Sequence, residues 1–277
     1  MPVDVIIVGA GPAGIACAVQ LKHQGVKFVL LESKWIGGLL VNANLVENMP
    51  LLPPLSGAEA VGLLKEKLKD LEIKVTYSTV TSIEKSGNVF NVTHSSGRLS
   101  ARYVVIATGT VPKRIESFEV SPKVVYEPLE LFSVSEKKIA IAGSGEAAFD
   151  LALSLSKSNR VTLFTKHSEF HISPHLHSRV AKNEKIVIMH SNPIKRVCEK
   201  GDKLLIMAGS FKDCYDNLLI SIGRKANRRL LSPELLNDKR IFLAGDVKHG
   251  KLGQVAIALG NGIEVAQNIV SYLRNKT

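Results

Sequence analysis

The chain carries two copies of one strand–turn–helix–strand unit. Residues 9–32 read GAGPAGIACAVQLKHQGVKFVLLE and residues 143–166 read GSGEAAFDLALSLSKSNRVTLFTK, and each follows a short aliphatic strand, VIIVG or IAIAG. Gly9 and Gly143 permit the tight turn out of the strand, while Gly11 and Gly145 lack a Cβ and allow the backbone to approach a pyrophosphate. The third position, Gly14 in the first copy and Ala148 in the second, sits where helix and strand must pack. The predicted phosphate cradles are therefore Gly9, Gly11, Pro12, Ala13 and Gly14, and then Gly143, Gly145, Glu146, Ala147 and Ala148. In each, the first turn of a helix aims free N–H groups at an anion. One such turn is a weak signal, whereas two with correct flanks predict an α/β chain with two dinucleotide sites.

The strand ends distinguish the two sites. Glu32 closes the first copy with a carboxylate that can accept hydrogen bonds from ribose hydroxyls, which suits an unphosphorylated ribose such as that of FAD or NAD. The aligned residue in the second copy is Lys166, followed by His167 and His171. A cation attracts a 2′-phosphate, so the second site leans toward NADPH, with NADH as the alternative because no acidic ribose clamp is visible. A solvated strand-end lysine is the plain reading of Lys166.

With 277 residues, the chain exceeds what one typical core fills, so two domains are expected. Residues 57–71 have helical spacing at Ala60, Leu63, Leu64, Leu68 and Leu71, followed by alternating strands with turn signals at Gly87-Asn88 and Ser96-Gly97. The later half repeats the order, so each half reads as a β-α-β unit plus a small antiparallel layer. Residues 112–128 form the most irregular stretch and the expected crossing between domains. The chain closes with a strand ending at Gly245-Asp246 and a long helix from about Gln254.

A formal charge of +11 favours an acidic partner, whether a small acidic electron carrier, an anionic cofactor, nucleic acid or an anionic membrane surface, and net charge alone does not choose among these or exclude a plain lysine-rich surface; 5% aromatic content argues against base-stacking. Cys17, Cys198 and Cys214 form no C-x-x-C pair, and Cys17 is expected to pack inside a helix. Among the histidines His167, His171, His175 and His177, Pro174 breaks the helix that would align a pair, so no metal site is expected. The chain opens directly into a strand without a basic leader, which reads as cytoplasmic, and its glycine-punctuated apolar run is too short to span a bilayer.

Taken in order, Gly9 to Gly14, Glu32, Gly37-Gly38, VENMP, VVIATG, the second glycine turn, ISIGR and LAGDV resemble the low-molecular-weight thioredoxin reductases. The resemblance implies two Rossmann-like, three-layer ββα domains, with an NAD(P)H domain (113–225) inserted into an FAD domain (1–112 and 226–277), usually in a homodimer. It also implies FAD contacts from Glu32 and Ser33, the Gly38, Leu39 and Leu40 backbone, Asn48, Val80, Ala107, Thr108 and Gly109. Gly245, Asp246, Gln254, Val255 and Ala256 complete the implied FAD set. Lys166 and His167 stand where the family carries its paired nucleotide-binding arginines, with His171 nearby.

The departures bear on chemistry. The family's C-x-x-C, before the second glycine turn, is replaced here by VVYEPLELFSVSEKK, and no cysteine occurs between Cys17 and Cys198. Leu40 and Leu45 occupy the disulfide positions of the larger glutathione-reductase type. Lysine lacks arginine's bidentate fork, so weaker or less selective NADPH binding is expected. The resemblance thus points to an FAD-dependent NAD(P)H oxidoreductase without an internal disulfide and without a catalytic side chain. Its acceptor would be a ferredoxin or flavodoxin, as in thioredoxin-reductase-like ferredoxin–NADP reductases, or a small molecule. The alternative is a regulatory flavin- or nucleotide-binding protein of the same fold that does not turn over.

Overall fold

The computed structural model describes residues 2–170, 172–250 and 253–275. It divides into two compact units, one made of Met1–Val41, Val46–Val111 and Ala226–Thr277, the other of Asn42–Leu45 and Pro112–Lys225.

In chain order, the first unit begins with β1 (Val3–Val8), α1 (Pro12–His23), β2 (Phe28–Glu32), α2 (Gly57–Asp70), β3 (Val75–Tyr77), β4 (Val80–Ser86), β5 (Val89–His94) and β6 (Gly97–Ile106). The crossing strand β7 is Thr110–Pro112. The second unit holds β8 (Val124–Val125), β9 (Lys138–Ala142), α3 (Glu146–Ser156), β10 (Arg160–Phe164), α4 (Pro174–Ala181) and β11 (Ile186–Met189). It continues with β12 (Arg196–Lys200), β13 (Lys203–Ala208), β14 (Phe211–Tyr215) and β15 (Asn217–Ile220), and the returning strand β16 (Arg224–Ala226) pairs with β7. The chain ends in the first unit with α5 (Pro233–Asn237), β17 (Ile241–Leu243), α6 (Asp246–His249) and α7 (Val255–Arg274).

The first sheet runs β3-β2-β1-β6-β5-β4, with β17 also on β6. Strand β1 pairs in parallel with β2 and β6. Its Val5, Ile6 and Ile7 are fully buried because both faces are covered, which explains an aliphatic run in place of alternation. On one face α1 and α7 close a core with Val5, Ile7, Leu21, Tyr103 and Ile269. On the other, Ile6 and Ile106 meet Phe90, Val92 and Leu235. Burying each such aliphatic side chain stabilises the fold by roughly 1.5–3 kcal/mol. Helix α2 starts at a reciprocal cap: Ser56 Oγ accepts from Glu59 N at 3.2 Å, and Ser56 N donates to Glu59 Oε2 at 2.7 Å.

The second unit has three layers. A parallel sheet, β11-β10-β9-β15-β8, lies between α3 and α4 on one side and the antiparallel β12-β13-β14 sheet on the other. Phe149, Leu163 and Val180 fill the helix side, and Val197, Leu204, Ile206 and Tyr215 fill the gap between sheets. The two halves are less alike than their sequences suggest. In the first unit the antiparallel layer is continuous with the parallel sheet, because the long β6 pairs with β5 through Gly97–Ala101 and with β17 through Val104–Ile106. In the second unit β14 and β15 are separate strands and the layer is free-standing. Among the described residues, no helix is long and apolar enough to cross a membrane.

Candidate functional site

The first glycine turn is shaped by close approach. Gly9 has φ +111°, and a Cβ there would lie 2.8 Å from the Ala107 carbonyl carbon. A Cβ on Gly14 would overlap the Gly9 carbonyl oxygen. At Gly11 the opposite holds, because a Cβ would meet nothing within 4 Å. The N-terminus of α1 has Gly11 as its cap and receives no side-chain hydrogen bond, so its first N–H groups are not served by a capping side chain. Pro12 at the first helical position fits a place where no donor is needed.

Glu32 closes over this turn. Its Oε2 accepts the Ala10 N–H at 2.7 Å, and its Oε1 accepts the Lys34 N–H at 2.8 Å and the Ser33 hydroxyl at 3.4 Å. Gly37 N donates to Ala10 O at 2.8 Å, and a Cβ on Gly38 would come 3.4 Å from Gly11 Cα, so the Gly37-Gly38 loop lies against the turn. Trp35 Nε1 holds the Gly38 carbonyl at 3.1 Å. Leu40 is buried and Leu39 is half-buried in the following turn.

The chain's late segments arrive at the same place. Gly245 has φ +76°, and a Cβ on it would stand 2.8 Å from Ala13 Cβ and 3.7 Å from Ala258 Cβ. The start of α6 and the start of α7 are thereby carried to the start of α1, and Asp246 Oδ2 lies 3.7 Å from where a Cβ of Gly253 would be. Gln254 caps α7 without a side-chain hydrogen bond, leaving a second uncapped helix start, with Val255 and Ala256 in its first turn. Thr108 Oγ1 donates to Asn227 O at 2.7 Å and Asn227 N donates to Gly109 O at 2.9 Å, which pins the strand exit after Ala107. Val80 is buried in the same core cluster as Val8 and Leu31. Asn48 is exposed, and among the described residues no hydrogen bond joins it to the turn.

Open space at Gly11, two uncapped helix starts and an acceptor at the strand end match the anionic diphosphate and ribose of FAD.

The second turn repeats the scaffold with different chemistry. A Cβ on Gly143 would sit 2.7 Å from Ala148 Cβ, Gly145 is again open, and α3 starts at Gly145 without a side-chain cap. Ala147 is exposed and Ala148 is fully buried. The hydrogen bond between turn and strand end runs the other way. Lys166 N donates to Ser144 Oγ at 3.0 Å, at the positions equivalent to Glu32 and Ala10. No carboxylate closes this turn at the strand end. Glu146 faces elsewhere, its Oε1 accepting the Ser173 N–H at 3.2 Å. Lys166 and His167 are exposed, and His171 lies outside the described residues. Ser144, Trp35 and Asn227 are contributors that motif reading missed; Ser144, aligned with Ala10, was visible only as the second residue of GSGEAA.

The three cysteines are free, and burial in α1 pushes the Cys17 thiol up to about 12. Among the described residues no group of three or more His, Cys, Asp or Glu is placed to hold a metal ion.

Comparison with known proteins agrees with this arrangement. Residues 3–262 match the model of the pyridine nucleotide-disulphide oxidoreductase family. Thioredoxin reductase of Treponema pallidum is 28% identical, the alignment covering 98% of this chain and 97% of that protein. The thioredoxin reductase of Lactococcus lactis superposes with a TM-score of 0.86 at 21% identity, over 99% of both chains. The bacillithiol disulfide reductase of Staphylococcus aureus superposes at 0.78 with 18% identity, over 98% of this chain and 99% of that one. With both glycine turns, the carboxylate over the first and the family match spanning nearly the whole chain, the protein belongs to the pyridine nucleotide-disulphide oxidoreductases, as an FAD-dependent NAD(P)H oxidoreductase of the thioredoxin-reductase-like kind.

Proposed function

We propose that this chain passes electrons from NADPH, or less favourably NADH, through FAD to an acceptor outside the protein, without an internal redox disulfide. The first unit would hold FAD and the second the nicotinamide nucleotide. The observation that carries the reading is the opposite chemistry of two equivalent turns: Glu32 accepts the turn's Ala10 N–H in one, while Lys166 donates to Ser144 and leaves its ammonium exposed in the other. A carboxylate repels a 2′-phosphate and a lysine attracts it.

Bound FAD would supply hydride acceptance and onward electron transfer. The chain's own work is placement. Gly9, Gly11, Gly14 and the α1 and α7 starts would receive the diphosphate, Glu32 would orient the ribose, and the Gly38 to Leu40 backbone and Ala107 to Gly109 would lie along the flavin. Lys166 and His167, with His171, would meet the nucleotide phosphate as single charges.

The relatives named thioredoxin reductase and bacillithiol disulfide reductase support a small redox protein or a disulfide as acceptor class. The lack of any cysteine between Cys17 and Cys198, together with the +11 charge, favours an acidic electron carrier of the ferredoxin or flavodoxin kind that meets the flavin directly. A cytoplasmic homodimer is part of the same proposal. Anaerobic mixing of the FAD-loaded protein with NADPH and with NADH tests it. Bleaching of the flavin band, faster with NADPH, is expected, and no bleaching with either nucleotide refutes it.

A further inference from the structure

The free-standing β12-β13-β14 sheet of the second unit sorts its charges by face. Register places Arg196 opposite Met207 and Met207 opposite Lys212, Cys198 opposite Leu205 and Leu205 opposite Cys214, and Lys200 opposite Lys203. Because side chains alternate across a strand, all of these residues share one face. The other face carries Val197, Leu204, Ile206, Ala208 and Tyr215, which are buried in the core, with Glu199 and Asp213 at its margins.

The outward face therefore has four cations and no acid. Arg196, Lys200, Lys203 and Lys212 are exposed, and they frame a half-buried centre of Cys198, Leu205, Met207 and Cys214. Of the nearby acids, Asp202, at the hairpin tip, pairs with Lys123, and Asp213 pairs with Lys138. Asp216 accepts the Lys138 N–H at 2.8 Å and pairs with Lys203 at 3.5 Å, so Lys203 alone of the four cations meets an acid. The side chains of Arg196, Lys200 and Lys212 have no hydrogen-bond or ion-pair partner among the described residues. Lys200 directly opposite Lys203 is a like-charge cross-strand pair, an arrangement that costs a sheet stability. Neither core packing nor a helix terminus calls for it.

We propose that this face is the docking surface for a small acidic electron-carrier protein, a step that rests on the external-acceptor reading above. An apolar centre with a charged rim is interface anatomy, and arginine and methionine are among the residues enriched at such surfaces. A second copy of this chain does not fit, since a two-fold contact through the face would set cations on cations. An anionic membrane fits less well, because the centre is half-buried and offers no exposed large apolar side chain to insert.

The two thiols report on the face without altering it. Cys198 and Cys214 lie at its centre, two strand spacings apart and so about 10 Å from one another, too far to join as a disulfide. Cys17, fully buried, serves as the internal control.

The FAD-loaded protein is alkylated with iodoacetamide, with and without a flavodoxin, and adducts at each cysteine are timed by mass spectrometry. Flavodoxin is expected to slow labelling of Cys198 and Cys214 several-fold at low salt, with protection lost at high salt and Cys17 unlabelled throughout. The R196E/K200E/K212E variant, and the milder K200Q/K212Q, should raise the flavodoxin Kd, the triple change by about tenfold or more, while NADPH bleaches the flavin as in the wild type. Flavodoxin that fails to bind, that binds the triple variant with unchanged Kd, or that binds without protecting the thiols overturns the proposal. So does protection by phosphatidylserine vesicles where flavodoxin gives none. Protection without flavin bleaching by either nucleotide would sink the reductase reading and leave the docking surface standing.

Discussion

Gly11 and Gly14 lie in the same turn, yet alanine at each should fail for a different reason. At Gly11 the backbone has φ −76° and ψ −179°, which any residue adopts, and an added Cβ meets nothing within 4 Å. Gly11→Ala should therefore leave the apo-protein as stable as the wild type or about 0.5 kcal/mol more stable, through the reduced entropy of its unfolded chain. The same methyl group fills the space through which a diphosphate reaches the α1 N–H groups. Losing two such charge-assisted hydrogen bonds at about 1.5 kcal/mol each costs about 3 kcal/mol, or roughly a 150-fold weaker FAD complex. At Gly14 an added Cβ overlaps the Gly9 carbonyl oxygen and comes 3.1 Å from its carbon and 3.3 Å from Ala107 Cβ. These are backbone and core atoms that cannot rotate aside, so Gly14→Ala should cost the apo-protein about 3 kcal/mol. Urea unfolding of the apo-proteins and flavin-fluorescence titration separate the two effects. A Gly11→Ala protein that binds FAD with wild-type affinity would refute the assignment of this turn as the cofactor cradle.

Three further outcomes are expected. Glu32→Gln keeps the side-chain shape but removes the charge that faces Ala10 and that we propose orients the ribose, and should weaken FAD by about tenfold in the same titration. Lys166→Arg should raise the ratio of NADH Kd to NADPH Kd by supplying a bidentate fork, and Lys166→Glu should invert it, both read by equilibrium titration. The third concerns acid stability. The Arg240 guanidinium, aided by Lys85, holds the Asp238 carboxyl well below the usual carboxylate range, with Arg240 Nε at 3.1 Å and Lys85 Nζ at 2.9 Å. A depressed folded value means that this stabilisation is fully present above the ordinary aspartate range and fades as pH falls through the lowered folded value. Asp238→Asn should thus cost about 1–3 kcal/mol at neutral pH and progressively less in strong acid, as measured by denaturation across pH.

Much of the two glycine turns was readable before folding, because it is local. A tight strand-to-helix turn needs glycine where a Cβ would strike its neighbours, at Gly9, Gly14 and Gly143, and with the open Gly11 and Gly145 these announce themselves in sequence, as do the aliphatic strands feeding them. Helix α7 starts after Gln254, as its pattern indicates. Parts that depend on distant partners were not readable. Ser144 matters because Lys166 N lies 3.0 Å away, Asn227 because it meets Thr108 and Gly109, and Trp35 because its indole holds Gly38. The sharing of β6 between two layers also escaped pattern reading, since alternation shows that a strand exists and not which neighbours its two halves take.

Residue order alone settles that this chain has two strand–glycine–helix units, that one ends in a carboxylate and the other in a lysine, and that no cysteine lies between Cys17 and Cys198. These are facts about short segments, where backbone sterics and charge act over a few residues. Tertiary structure alone decides that Gly245 and the start of α7 are carried to the start of α1, and that Arg196, Lys200, Lys203 and Lys212 share one face of a sheet. The reason is physical: such juxtapositions arise from pairing register and core packing between segments far apart in the chain, and a one-residue change of register would turn those cations to the opposite face.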